Sequence, residues 1–236
     1  MTLEELCQHA VSFGITGIDL LTIEELPTLK PFNLTCPMVS GPGGISHGWN
    51  EVALHDELVA KSEELLPKVA AAGMPNMIVF SGNRRALSDA EGLAACAKGL
   101  KRIAPLAESL GVNIVMELLN SKWNHKDYQC DKTPWGAALV DEVGSDRFKL
   151  LYDIYHMQIM EGDVIQTITD YHPYIAHYHT GGVPGRAEID ETQELNYPAI
   201  CRAIVETGYT GFVAQEFIPK REPATSLRES IDLCDV

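Results

Sequence analysis

The sequence has few cationic side chains for its length. Its 236 residues include 18 Lys and Arg against 33 Asp and Glu, which gives a formal net charge of −15 at pH 7. Nucleic acids and anionic membrane surfaces both bind proteins through cationic patches. The charge balance therefore argues against both of these partners. A homo-oligomer stays possible.

Long apolar runs are absent, and the six cysteines show no paired spacing. No stretch approaches the roughly 18 apolar residues that a membrane-spanning helix needs. None of the cysteines forms a C-x-x-C pair, so we expect reduced and mostly buried thiols in a cytoplasmic protein. No secretory signal peptide is recognisable at the N-terminus.

Phosphate-binding glycine motifs are missing as well. The glycine-rich segment 41–50 has neither the G-x-x-x-x-G-K-[ST] pattern nor the G-x-G-x-x-G pattern, which argues against a phosphate site. The segment follows a predicted strand, so it is either an ordinary connection or a loop that covers a substrate. In the second case His47 and Trp49 are the candidate lid residues.

What the sequence does contain is a regular alternation of short apolar runs and amphipathic helical segments. The runs predict parallel strands that are buried on both faces, and the stretches between them predict helices. No break in composition marks a domain boundary, so we expect a single domain over residues 1–236. The predicted strands are 17–21, 34–40, 76–80, 113–117, 148–153, 175–179 and 211–216.

This alternation predicts an α/β fold of the (β/α)8 TIM barrel type. Such barrels have eight strands in about 250 residues. The chain begins instead with a helix, whose start is marked by a capping box from Thr2 to Glu5. The first strand is therefore missing from this sequence. Of the two explanations, a start upstream of Met1 or an open barrel, we favour the first.

Four predicted strands end in a potential metal ligand: Glu117, Asp153, His179 and Glu216. The carboxyl ends of parallel barrel strands meet at one face, where ligands bind. A buried carboxylate there needs a paired charge or a bound cation. Three carboxylates and one imidazole suit Mg²⁺ or Mn²⁺, with Co²⁺ or Zn²⁺ as further candidates. The alternative is that they are ordinary ion-pairing residues at the barrel mouth.

The loops that leave these strands carry candidate substrate-binding residues. His156 can face a bound substrate or be a structural histidine. Arg186 can pair with a substrate carboxylate or hydroxyl, or be an exposed loop residue, and Lys122 is a weaker candidate of the same kind. His177 precedes His179 by two residues and so points to the same side of its strand, one layer deeper. We expect it to be a supporting or core histidine.

Short motifs around these residues resemble hydroxypyruvate isomerases. More broadly, the chain resembles the xylose-isomerase-like barrels, which include the ketose 3-epimerases. The likeness runs from about residue 54 to the end and is strongest over 113–217. The motifs are Met116-Glu117-Leu118-Leu119-Asn120, Tyr152-Asp153-Ile154-Tyr155-His156-Met157-Gln158, His177 to His179 with Pro184-Gly185-Arg186, and Gln215-Glu216-Phe217.

The resemblance implies roles for the four strand-end residues. It implies that Glu117, Asp153, His179 and Glu216 bind a divalent metal ion, and that the two glutamates also act as an acid/base pair. One position departs from the pattern, because hydroxypyruvate isomerases often carry Gln where this chain has His179. Histidine is usual there in the epimerases, so the departure bears on the substrate.

The expected function is a metal-dependent isomerase. It would interconvert hydroxypyruvate and tartronate semialdehyde (2-hydroxy-3-oxopropanoate) by proton transfer through an enediolate. A ketose 3-epimerase or another sugar isomerase is the first alternative. A dehydratase for a sugar or inositol derivative is the second, because loss of a β-hydroxyl needs the same metal and base. A barrel that binds metal without catalysis is the third.

Overall fold

The computed structural model describes residues 1–236 and contains five parallel strands and nine α-helices. The strands are β1 (Asn76–Val79), β2 (Asn113–Glu117), β3 (Phe148–Asp153), β4 (Ile175–Thr180) and β5 (Val213–Gln215). The helices are α1 (Leu3–Phe13), α2 (His55–Ala71), α3 (Asp89–Leu100), α4 (Ala104–Leu110), α5 (Thr133–Val143), α6 (Ile154–Met160), α7 (Val164–Tyr171), α8 (Tyr197–Glu206) and α9 (Pro223–Cys234). Short 3-10 helices lie at Leu26–Phe32, Val52–Leu54 and His172–Tyr174. None of these helices combines the length and apolar character that crossing a membrane requires.

The five strands form one sheet whose spatial order follows the chain, from β1 to β5. Every pair is parallel, and the register sets Asp153 of β3 beside His179 of β4. Helices separate successive strands, so the carboxyl ends of all strands lie at the same edge of the sheet. The predicted barrel class is confirmed. β5 is shorter than predicted, and Glu216 lies directly after it.

The two N-terminal segments predicted as strands do not form regular strands, so this part of the prediction is wrong. They pair with each other and with β1 only through isolated parallel bridges. Pro37 has no backbone N–H to donate to a neighbouring strand. Leu20 has a φ of 61°, far from the extended region. The bridges are Gly17 with Thr35, Leu21 with Val39, and Val39 with Met77.

Two helical predictions are also corrected. The capping box at Ser88 and the apolar spacing up to Gly111 predict a single helix, but the structure divides this stretch into α3 and α4, because Pro105 lies in the first turn of α4 and cannot continue an earlier helix. The stretch after β3, expected as a loop, is the helix α6. Asp153 caps this helix, since its Oδ1 accepts the backbone N–H of His156 at 3.0 Å. The capping boxes at Thr2 and Ser88 are both formed as the sequence indicates.

Strand side chains alternate between two apolar layers. The layer that packs against the helices belongs to a core of 44 buried residues. The second layer lies on the inner side of the curled sheet and consists of Met38, Ile78, Val115 and Leu151. Because side chains repeat every two residues along a strand, the residues two positions further along β2 and β3 project to this same inner side.

Candidate metal centre

The inner side of the sheet carries a polar cluster above the apolar layer. Glu117 and Asp153 each lie two residues beyond the inner-layer member of their own strand, and His179 lies beside Asp153 in register. All three are buried, with exposed fractions of 5%, 0% and 0%. Glu216 joins them from the residue that follows β5. The strand periodicity therefore explains why these side chains converge.

His179 lies at the centre of the cluster. Its Nδ1 atom is 3.0 Å from Glu216 Oε2 and 3.8 Å from Glu117 Oε1. Arg186 approaches from the loop after β4, with Nη2 at 2.5 Å from Glu216 Oε2 and 3.6 Å from Asp153 Oδ2. The structure thus brings Arg186, a predicted substrate-binding residue, against the same carboxylates.

The carboxyl groups of the cluster are in unequal environments. Burial and the charge of Glu216 raise the pKa of Glu117 well above its usual range, and they raise the pKa of Asp153 to about 7. The pKa of Glu216 is held low, because the hydrogen bond from His179 and the charge of Arg186 outweigh its burial. Full ionisation of all three carboxyls is therefore costly unless a further positive charge is close by.

This donor set fits a divalent metal ion. One ligand atom from each of the four predicted residues lies within 4.8 Å of the others. Asp153 Oδ2 is a buried oxygen without a hydrogen-bond partner. Carboxylate oxygens with one imidazole nitrogen suit Mg²⁺ or Mn²⁺ best, and Co²⁺ or Zn²⁺ less specifically. The structure brings all four residues together, while their role as ligands stays a prediction.

His156 is buried beside the cluster, in the first turn of α6. Its Nδ1 atom lies 3.1 Å from the backbone N–H donor of Asn120. Burial lowers the pKa of His156 to about 2, so the ring is neutral and its proton is on Nε2. Nε2 has no hydrogen-bond partner and lies 3.7 Å from Asp153 Oδ2. His156 therefore presents a neutral N–H donor toward the cluster.

Asp19 is a member of the site that the sequence analysis missed. Asp19 lies in the N-terminal bridge segment, residues 17–21, which pairs only through isolated bridges. Its carboxylate contacts both His177 and His179. Although burial opposes ionisation, these two histidines lower the pKa of Asp19 to about 2. The available signal was an Asp inside an apolar run, although Asp19 lies in the middle of its run and not at the end, as Asp153 does. His177 is buried beneath His179, as expected for a supporting histidine.

The family of the chain follows from comparison with known proteins. The sequence profile of the xylose isomerase-like TIM barrel family matches residues 22–235. The chain belongs to this family.

Relatives of this xylose isomerase-like barrel include isomerases and an epimerase. The putative hydroxypyruvate isomerase of Homo sapiens is 28% identical over 170 residues, which cover 70% of this chain and 61% of that protein. The hydroxypyruvate isomerase of Escherichia coli K12 is 34% identical over 134 residues, covering 53% and 52%. The D-psicose 3-epimerase of Agrobacterium fabrum is 33% identical over 126 residues, covering 50% and 39%. The chain thus spans less than two thirds of the length of each of these relatives.

Solved structures of similar shape show the same fold. An AP endonuclease of family 2 from Brucella melitensis has a TM-score of 0.88 and 24% identity, and the match covers 96% of this chain and 92% of that one. A D-psicose 3-epimerase crystallised in the presence of D-fructose has a TM-score of 0.76 and 20% identity, covering 98% and 84%. At these identities the likeness extends to the TIM barrel fold alone.

Three residues that were predicted to bind or cover the substrate lie away from the cluster. Lys122 is exposed, with its Nζ 5.6 Å above the ring of Trp123, and it makes no contact with the four candidate ligands. Trp49 is fully buried in the core, so its prediction as a lid residue is wrong. His47 is exposed and lies 3.0 Å from Glu51, away from the cluster. The loop 41–50 is held down by backbone hydrogen bonds to the residues after β1.

Proposed function

We propose that this protein is a metal-dependent isomerase that interconverts hydroxypyruvate and tartronate semialdehyde. The observation that carries the proposal is the pair of glutamates, Glu117 and Glu216, that approach the same nitrogen of His179 in one buried cluster. The names of the relatives in human and Escherichia coli support the substrate class. The isomerase activity that these names give is thereby proposed for this protein as a whole.

Glu117, Asp153, His179 and Glu216 would hold the ion, for which Mg²⁺ and Mn²⁺ are the first candidates. When bound, the ion would polarise the substrate carbonyl and so acidify the adjacent C–H bond. The four side chains face inward from β2, β3, β4 and the end of β5, so the substrate would lie over the inner side of the sheet.

The two glutamates would carry the proton. One carboxylate removes a proton from the hydroxymethyl carbon of hydroxypyruvate, which leaves an enediolate. The same or the opposite glutamate returns a proton to the neighbouring carbon, the former carbonyl carbon, while the hydroxyl proton moves to the other oxygen. No atom is gained or lost, as an isomerisation requires. Acid/base help of this kind typically accelerates a reaction by roughly 10²–10⁴-fold.

Two further residues would bind the substrate. The Nε2–H of His156 has no partner in the protein and faces the cluster, so it can donate to a substrate oxygen. The guanidinium of Arg186 lies beside the cluster and can pair with the carboxylate that distinguishes hydroxypyruvate from a sugar. Lys122 would act only if its loop approached the bound substrate.

A ketose 3-epimerase is the second candidate. His179 favours it, because histidine is the usual residue at this position in the epimerases that the sequence resembles. In that reaction the proton would return to the other face of the carbon that lost it. A D-psicose 3-epimerase is among the relatives, which supports this alternative.

Proton NMR of two parallel incubations tests the substrate class. The Mg²⁺-loaded protein is incubated with hydroxypyruvate and, separately, with D-fructose, with and without EDTA. Conversion of hydroxypyruvate that EDTA abolishes is the expected result. Conversion of D-fructose alone would replace the isomerase proposal with the epimerase. No turnover of either compound by a folded, metal-binding protein would contradict both.

A further inference from the structure

Asp19 lies on the side of His179 that is turned away from the three carboxylates. Its Oδ2 atom is 3.2 Å from His179 Nε2 and 2.5 Å from His177 Nε2. The side chain of Asp19 is only 10% exposed, and its hydrogen bonds go to these two imidazoles. One carboxylate from the N-terminal bridge segment therefore contacts both histidines of β4.

The two ring nitrogens of His179 have different surroundings. Nδ1 faces the cluster and is hydrogen-bonded to Glu216 Oε2 at 3.0 Å, whereas Nε2 faces Asp19. A bound ion would take the place of the proton on Nδ1. A histidine can offer a lone pair to a metal ion from one nitrogen only if that nitrogen is unprotonated. A carboxylate that accepts the proton of the other nitrogen fixes both the tautomer and the ring orientation.

We propose that Asp19 is a positioning residue that holds the proton of His179 on Nε2, so that Nδ1 is directed at the metal-binding cluster. This inference rests on the proposed metal site. His177 donates to the same Oδ2 atom and fixes the carboxylate in its turn. The rings of His177 and His179 meet edge to face at 5.1 Å, and Asp19 Oδ2 contacts both of them.

A second metal ion is the competing explanation. Asp19, His177 and His179 offer three ligand atoms within 4.8 Å of one another. The contacts of Asp19 Oδ2 at 2.5 Å and 3.2 Å are hydrogen-bond distances, which favours direct bonds between these side chains. The number of ions bound per chain separates the two explanations.

Titration calorimetry with Mn²⁺ on the full chain provides the first test. The Asp19→Asn variant keeps the shape of the side chain and loses its charge, and we expect its Mn²⁺ affinity to fall about 10- to 100-fold. Asp19→Glu should recover part of the loss. Asp146→Asn is the matched control, because Asp146 is exposed and precedes β3 at the opposite end of the sheet. We expect it to bind Mn²⁺ like the wild type, with one ion per chain.

The proton on His179 Nε2 provides a second test that needs no metal and no activity. In wild-type protein, with and without Mg²⁺, we expect a downfield proton resonance for this N–H, because a carboxylate accepts it. The resonance should move upfield in Asp19→Asn and stay unchanged in Asp146→Asn.

Three results would overturn the inference. They are an unchanged Nε2–H resonance in Asp19→Asn, an Mn²⁺ affinity of that variant within twofold of wild type, and two bound ions in the wild type with one in the variant. A wild type that binds no Mn²⁺ would refute the proposed metal site, and the resonance in metal-free protein would still decide the role of Asp19.

Discussion

Glu117 and Glu216 are the side chains on which the proposed chemistry depends. Replacing Glu216 by Gln keeps its size but removes the proton acceptor, so we expect turnover to fall by about 10²- to 10⁴-fold. Initial rates with hydroxypyruvate at saturating Mg²⁺ measure this effect. Glu206→Gln, at the exposed end of α8, is the control and should keep wild-type rates. Wild-type turnover by a metal-loaded Glu216→Gln protein would remove Glu216 from the mechanism.

The raised pKa of Asp153 predicts that metal binding depends on pH. Burial and the charge of Glu216 raise its pKa to about 7, and a protonated carboxyl does not bind a cation. Mn²⁺ affinity should therefore fall as the pH drops below 7. If one proton competes, the fall is about tenfold per pH unit. Calorimetry between pH 5.5 and 8.5 measures it, and a flat profile across this range would contradict the assignment.

The strand ends made most of the site predictable at the scale of single residues. Glu117, Asp153 and His179 each follow an apolar run, and a run of that kind predicts both the strand and the edge at which it ends. Asp19 was missed because it lies in the middle of the predicted strand 17–21 and not at its end. The tautomer of His156 was beyond prediction, since it depends on a contact with Asn120, 36 residues away in the chain.

At the scale of elements, Glu188 connects the loop after β4 to the start of α9. Its Oε1 atom accepts the backbone N–H groups of Lys220 and Arg221, at 2.8 and 2.9 Å, and the hydroxyl of Ser226 at 2.9 Å. The carboxylate is buried, so these bonds are shielded from water. Although burial opposes ionisation, the hydrogen bonds lower the pKa of Glu188 to about 2.

Glu188→Gln should therefore destabilise the protein in a pH-dependent way. A folded-state pKa of about 2, below the usual 4.5, means that the carboxylate stabilises the fold above pH 4.5 and that this stabilisation is lost as the pH falls toward 2. We expect the variant to lose about 1–3 kcal/mol of unfolding free energy at pH 7 and less at pH 3. Urea unfolding at both pH values measures this. The exposed Glu191→Gln is the control, and an equal loss at both pH values would contradict the account.

Regular elements were predictable where local signals agree. The capping boxes at Thr2 and Ser88 mark true helix starts. α6 was not anticipated, because Asp153 reads as the end of a strand and its second role as the cap of the next helix is visible only in three dimensions. Pro37 and Leu20 interrupt the two N-terminal segments although their composition favours strands.

At the scale of the whole molecule, metal binding should stabilise the fold. An ion that binds only the folded state, at 100 times its Kd, adds about 2.7 kcal/mol. For a chain of this size we expect Tm to rise by roughly 5–10 °C. Thermal unfolding with Mn²⁺ and then EDTA measures the shift and its reversal. Asp153→Asn should show a much smaller shift, and equal shifts in both proteins would place the ion elsewhere.

The barrel class was predictable from the alternation of elements, because parallel strands that are buried on both faces leave a clear apolar signal. The division of the chain into one domain remains a prediction. The substrate is decided by a few side chains over the cluster, such as Arg186 and His156, whose positions depend on the loops that fold around them. Sequence patterns predict the conformation of such loops poorly. The residues at the strand ends could therefore be predicted more readily than the substrate.

The most direct measurement of the central claim is the entry of deuterium from D₂O into the product of hydroxypyruvate turnover, followed by proton NMR with Mg²⁺ and with EDTA. Proton transfer through Glu117 and Glu216 predicts deuterium at the former carbonyl carbon of tartronate semialdehyde, and no conversion after EDTA. Conversion that persists in EDTA would contradict the metal-dependent reaction. Conversion without any deuterium, in a protein whose glutamates exchange freely with solvent, would contradict the enediolate route.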